Sequence, residues 1–340
     1  MTTFKTDHIS VAAIATTVPP VSKQVNFEGI GEVNIRHCLF DQTTSDLGFD
    51  AANRIIGTHD INLEEIGVLI FLSRTPDYRS PTTAAILQGR LNLSIDCICY
   101  DVNAGSNGMA LGITLVSSIL KGINAVYGLI IVGDTPSKLY NPDVPWSTIE
   151  SDAATAILLK KDPAATLITS STRSFGHLFD EFSILKGGFR YYDKNIPFDA
   201  TDKNNFKVNF DTAGIAQFLS TEFVAFDQEN TTEKAASGIT IWYGGLSLYR
   251  EPQSTLPANF ILPWSTIQAY GHTYASSIAL QLSMLSHQEY ALGGPTLLNL
   301  FSVGEGMSLW YISFEIDFSC VLATQECTEI FTDFSVTHEI

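Results

Sequence analysis

The stretch Cys97-Ile98-Cys99-Tyr100-Asp101-Val102-Asn103-Ala104-Gly105-Ser106-Asn107-Gly108 decides how the chain is read, because the apolar period changes inside it. Cys97 to Val102 has the composition of a buried strand, and Asn107 to Leu120 that of a helix closed by Lys121-Gly122. Gly105 and Ser106 fall in the turn between them. On the N-terminal side, Ile66 to Leu72 reads as a buried strand and Thr82 to Leu91 as a helix. Asp46 to Ile56 starts an earlier helix, with apolar Leu47, Ala51 and Ile55 on one face and Thr44 and Ser45 as N-cap residues. Ala125 to Val132 is the next strand after Ser106. Ile9 to Val18 is the first strand rather than a leader segment, since Asp7 and His8 break its start and Pro19-Pro20 ends it.

After Asp152 to Leu159 the alternation loosens. Ser170 to Lys207 is polar and aromatic around Lys186-Gly187-Gly188-Phe189-Arg190, a long excursion whose aromatics can pack. A second series follows: helix Asp211 to Phe226, strand Gly238 to Trp242, helix Ser276 to Leu285, and strands Thr296 to Val303 and Leu309 to Ile316. Strands alternating with helices indicate a layered α/β protein, and two series of similar order indicate an internal duplication. The expected division is 1–165 for the first half, 166–207 for the excursion, 208–316 for the second half and 317–340 for a C-terminal extension. That extension carries Phe318, Cys320, Leu322, Ile330, Phe331, Phe334 and Val336, too apolar for a free tail.

Composition narrows the function. The chain has 340 residues, 45% hydrophobic and 16% charged, so it can bury a large core. Its formal charge of −17 argues against nucleic acid or an anionic membrane surface as partner. The longest apolar stretch, Ala125 to Val132, is far short of the roughly 20 residues that cross a bilayer, so no membrane insertion is expected. Five cysteines, an odd and sparse set, fit reduced thiols in the cytoplasm. Cys97 and Cys99 have no second pair at ligand spacing, so no metal site is expected.

Several strings together resemble the β-ketoacyl-acyl-carrier-protein synthase III branch of the thiolase superfamily. They are Thr43-Thr44-Ser45-Asp46-Leu47, Thr75-Pro76-Asp77-Tyr78, the turn Asp101 to Gly108, Ser151-Asp152-Ala153-Ala154-Thr155-Ala156, Gly271-His272-Thr273-Tyr274-Ala275-Ser276-Ser277 and Val303-Gly304-Glu305-Gly306-Met307-Ser308. The resemblance implies a thiolase-like five-layer αβαβα sandwich made of two similar βαβαβαββ halves, usually a dimer joined through the sheet edges. It also implies a pantetheine tunnel ending at a cysteine on the N-terminus of a buried helix, where dipole and imidazole favour thiolate. A histidine and an asparagine of the family stabilise the enolate formed on decarboxylation.

All three positions depart from that pattern. Ser106 stands at the cysteine position, Trp242 at the histidine position through the string Thr240-Ile241-Trp242-Tyr243-Gly244-Gly245-Leu246, and His272 at the asparagine position. A serine without a general base is a poor nucleophile, and an indole keeps at most one donor. The resemblance therefore implies a non-condensing subunit of fatty-acyl, polyketide-like or quinolone-like chain biosynthesis, paired with a catalytically complete paralogue. The alternative is an acyltransferase through Ser106, with His272 or His177 as base, or a self-paired acyl-binding homodimer. Gly304 and Gly306 would form a tunnel loop. No cofactor is expected to be permanently bound; a CoA or phosphopantetheine thioester would be the substrate.

Carrier docking is a separate matter. The helix Asp211 to Phe226 has no Lys or Arg, so the family's basic carrier-binding patch is absent from it and acyl carrier protein would dock on the partner. Lys186, Arg190, Lys194, Lys203 and Lys207 form a basic cluster in the excursion, read first as a solvated loop and second as a relocated carrier or CoA-phosphate site.

Overall fold

Two six-stranded sheets enclose a layer of buried helix. The structure is a computed structural model, and it describes residues 2–20, 22–139, 141–186, 188, 190, 202–231, 238–242, 260–261, 264–286 and 294–331. The first sheet runs Gln325–Glu326, Ile9–Val18, Ala153–Lys161, Tyr127–Asp134, Ile66–Leu72 and Ile98–Val102. Its last two strands are parallel, with Leu72 opposite Val102, which puts the turn carrying Ser106 at the C-terminal end of an edge strand. The second sheet runs Thr2–Thr6, Ile168–Ser174, Ser308–Ile316, Thr296–Gly304, Ile239–Trp242 and Phe260–Ile261.

Between the sheets lie the helices Gly108–Gly122 and Ser277–Leu285. Ile113, Val116 and Leu120 of the first and Ile278 and Leu282 of the second pack in one core with Val68, Ile70 and Ile130 of one sheet and Ile239, Leu300 and Ile312 of the other. Outside the first sheet, Thr44–His59 and Thr83–Arg90 cover Leu69, Phe71, Leu129 and Ile131. Outside the second, the helix that begins at Thr212 and ends at Asn230, with a π-turn at Leu219–Phe223, covers Trp242, Phe301 and Tyr311 with Phe218, Phe223 and Phe226. The five-layer αβαβα sandwich is therefore present.

The central helix sits close to its sheet because of two glycines. A Cβ on Gly108 would collide with Val132, and one on Gly112 would lie 2.8 Å from Ile130 Cγ2. Larger residues there would lift the helix, and with it Ser106, off the sheet.

Local details differ from the sequence reading. The first helix begins at Thr44, not Asp46, because Thr43 is the N-cap and Asp46 Oδ2 accepts its backbone N–H at 2.9 Å. The excursion begins later than Ser170, since Ile168–Ser174 is a central strand of the second sheet. Ser170 and Ser171 are buried, and Thr114 Oγ1 donates to Ser170 Oγ at 2.9 Å, so these polar residues belong to the core, and the Ser170 hydroxyl is satisfied there. The hairpin Ser22–Phe27/Gly31–Arg36 and the helix Trp264–Tyr270 were not foreseen.

The extension packs on the body as far as Phe331. Gln325–Glu326 adds a strand beside Ile9–Val18, Gln42 Nε2 donates to the carbonyls of Cys327 and Glu329 at 3.0 Å, and Arg90 lies over the Phe331 ring at 4.6 Å. Phe334 and Val336 of the extension, Lys194 of the basic cluster and Tyr243 to Leu246 of the tryptophan string lie outside the described residues. Among the described residues no helix is long and apolar enough to cross a membrane, and no cluster of three or more metal-ligating side chains occurs.

Candidate active site

Ser106 lies just before the central helix, whose N-cap is Asn107. The Gly108 N–H donates to the Gly105 carbonyl at 2.7 Å, closing the turn. Ser106 is 2% exposed, and its Oγ has no hydrogen-bond partner among the described residues. It therefore bonds neither His272, nor His177, nor Trp242. The local bond to the helix end expected of a merely structural serine is absent as well.

His272 is completely buried. Its backbone forms a bridge with Glu150, and its ring packs edge-on to Trp146 at 5.5 Å and tilted over Tyr274 at 4.3 Å. Burial, and then the positive charge of Arg74, push its pKa down to about 3. The ring is neutral at pH 7, and it is a weak base: a conjugate acid that strong cannot hold a serine proton effectively. His177 is exposed in the short turn Gly176–Leu178, beside Phe175, and the structure gives it no bond to Ser106. Trp242 ends its strand 3% exposed within an aromatic cluster, edge-on to Phe223 at 6.1 Å.

The glycine loop does meet the turn. A Cβ on Gly304 would collide with Asn107, whose Nδ2 donates to Ser308 Oγ at 2.7 Å, and Gly306 turns the chain with φ of 67°. This places Glu305 against Gly105.

The residues that close around this turn include several that the sequence reading passed over. Arg74 follows the strand Ile66–Leu72, with its side chain 4% exposed. Its Nε is 3.2 Å from Glu305 Oε1 and 3.4 Å from Asp134 Oδ2, and its guanidinium lies 3.9 Å over the Tyr274 ring. Asp134 is fully buried; desolvation, only partly offset by Arg74, pushes it up to about 6. Tyr274, at φ of 49°, donates to Glu150 and accepts from Trp146 Nε1 at 3.2 Å. Glu150, also bonded by Asn141, is pushed up to about 7 by burial. The signal for Arg74 was a charge placed directly between an apolar strand and Thr75-Pro76-Asp77; for Glu305 it was a carboxylate between two glycines.

Beside the turn lies a cavity of about 800 Å³. Arg74, Glu305, Asn103, Thr135, Leu139 and Phe206 are among its walls, together with the cations Arg79, Lys138 and Lys186. Lys186, expected in a solvated loop, thus lines a cavity, whereas Lys207 of the same cluster pairs with Asp143 at 2.7 Å. Ser106, His272 and Trp242 do not line it.

A buried helix entered through a glycine-serine turn, between two sheets of a duplicated α/β sandwich, defines a thiolase-type architecture. The comparisons agree. The family model of 3-oxoacyl-[acyl-carrier-protein (ACP)] synthase III matches residues 100–176, the span that holds the turn and the strand Ala153–Lys161. The β-ketoacyl-[acyl-carrier-protein] synthase III of Oenococcus oeni is 25% identical over 82% of this chain and 87% of its own, and that of Lactobacillus helveticus is 24% identical over 81% and 84%. Among solved structures, a 3-oxoacyl-(acyl-carrier protein) synthase from Burkholderia xenovorans has a TM-score of 0.80 over 96% of this chain and 99% of its own at 22% identity. OleA of Xanthomonas campestris has a TM-score of 0.70 over 91% and 97% at 17%. The chain is thus a β-ketoacyl-acyl-carrier-protein synthase III-like protein with the thiolase fold.

Proposed function

We propose that the chain is a non-condensing, ketosynthase III-like subunit of acyl-chain biosynthesis, which supports a catalytically complete paralogue in a heterodimer. The observation that carries this reading is the isolation of Ser106: its buried hydroxyl bonds no base, and the nearest candidate by sequence, His272, has its basicity depressed by burial and by Arg74. A serine in that setting keeps its proton, and no acyl ester forms on it. The curated relatives act, by their names, in β-ketoacyl-carrier-protein synthesis, and the retained fold supports the same pathway class here.

The partner role is supported by the edge of the first sheet, which no other strand among the described residues covers. Ile98–Val102 is the outermost strand, Tyr100 on it is 58% exposed, and Ile95 just before it is 94% exposed. An open strand edge with apolar side chains favours pairing with another chain. The helix that begins at Thr212 offers no basic face to a carrier, so carrier docking falls to the partner.

Co-expression with a relative that retains cysteine, histidine and asparagine tests this. A one-to-one heterodimer whose condensing activity survives Ser106→Ala is expected. A homodimer that gains an acyl mass from acyl-CoA, lost in Ser106→Ala, would replace this reading by the serine acyltransferase, and loss of the adduct in His272→Ala or in His177→Ala would name its base.

A further inference from the structure

Two charged side chains from opposite halves of the sandwich, Arg74 and Glu305, line the cavity and also crowd Gly105, the residue before Ser106. We propose that Arg74 and Glu305 form a bolt that seals the cavity from Ser106, so that a ligand in the cavity and the residue at position 106 occupy separate compartments until the bolt is drawn. The inference concerns access to position 106 and not its chemistry, so it does not depend on the partner-subunit reading.

Three observations converge. Arg74 and Glu305 line the cavity, whereas Ser106 and His272 do not. Both side chains press on the backbone of the turn: a Cβ on Gly105 would stand 2.7 Å from Arg74 Nε and 2.7 Å from Glu305 Oε1, so only glycine leaves room for the pair. The guanidinium also lies on Tyr274, which stacks with His272, so the same side chain covers the approach from the histidine.

The two parts of the bolt differ in mobility. Arg74 is fixed from several sides: its backbone N–H donates to Asp134 Oδ1 at 2.8 Å, Asp134 Oδ2 is near its Nε, and the aromatic rings of Tyr274 and Phe182 flank it. Glu305 is 22% exposed and stands between Gly304 and the left-handed Gly306. A partly buried ion pair gains little net energy, because desolvation of the charges offsets their attraction. Withdrawal of Glu305 is therefore the low-cost motion, and Asp134 keeps Arg74 neutralised while it happens.

The test places a thiol at position 106. Full-length Ser106→Cys protein, native and folded, is alkylated with iodoacetamide, and the rate at position 106 is read by peptide mass spectrometry separately from Cys38, Cys97, Cys99, Cys320 and Cys327. The expected result is slow alkylation in Ser106→Cys alone and a rate at least about tenfold higher in Ser106→Cys/Glu305→Ala, with buried Cys97 and Cys327 unchanged, as local opening requires. Arg74→Ala in place of Glu305→Ala should act in the same direction; because it strands Asp134, Glu305→Ala carries the decision. Equal rates at position 106 with and without Glu305→Ala would overturn the bolt. So would a parallel rise at Cys97 and Cys327, which would mean general loosening.

Discussion

The two buried helices lie between the same two sheets, but their N-termini are finished in opposite ways. At the start of Ser277–Leu285, Thr273 Oγ1 and Ser277 Oγ are 3.1 Å apart, the Thr273 N–H donates to Ser277 Oγ at 3.3 Å, and Ser276 Oγ donates to the Val132 carbonyl at 3.3 Å. At the start of Gly108–Gly122, Asn107 is spent on Ser308 across the sandwich, and the Ser106 hydroxyl has no partner among the described residues. Buried hydroxyls without partners are uncommon because each forgoes its water bonds. One helix end is thus built for stability, and the other keeps a destabilising buried hydroxyl.

The largest expected effect breaks the closed surroundings of the first helix end. Arg74→Ala leaves Asp134 buried beside no cation and should lower stability by about 3–5 kcal/mol in urea unfolding. A loss under about 1 kcal/mol would mean that Asp134 is neutral in the native protein.

The second sharpens the other end through Glu150, which anchors Tyr274. Its native pKa is raised to about 7 from 4.5, so between those values the native state holds a proton that the unfolded state has lost. Stability from this group is complete below about pH 4.5 and falls as pH rises toward 7. His272, lowered to about 3 from 6.5, acts oppositely and adds stability as pH rises through that interval. Comparing Glu150→Gln with the parent cancels the histidine. The variant should gain relative stability between pH 5 and 7, on the order of 2 kcal/mol. Parallel denaturation curves at both pH values would disprove the raised carboxyl.

The third tests the comparison directly. Ser277→Ala breaks satisfied bonds and should cost about 1 kcal/mol, whereas Ser106→Ala removes an unsatisfied hydroxyl and should be neutral or stabilising by up to about 1 kcal/mol. Equal losses in thermal unfolding would show that the two ends are alike. The smallest effect serves as a distant control. Phe331→Ala, which removes a ring from Arg90, should cost about 0.5–1 kcal/mol and add independently to either serine change.

The fold was largely legible. Ile9 to Val18 and Ile66 to Leu72 were bounded correctly by their apolar runs, since strands with both faces buried have nothing else to do with such residues. Ile168–Ser174 escaped because its partners are Ser308–Ile316 and Thr2–Thr6, far away along the chain, and buried Ser170 is satisfied only once Thr114 arrives. Polar residues in a core carry no periodic signal.

For the site, the order of the strings in the sequence singled out Ser106, Trp242, His272 and the Gly304–Gly306 loop as expectations, and of these the structure brings the loop onto the turn. What the sequence by itself determined is the layered α/β core and the serine at position 106, because apolar periodicity and side-chain identity are local properties. Only the tertiary structure decided that His272 is a depressed base, that His177 faces solvent, and that Arg74 meets Glu305 over Gly105. Burial and charge pairing depend on which distant segments converge, and Arg74 and Glu305 belong to opposite halves of the chain.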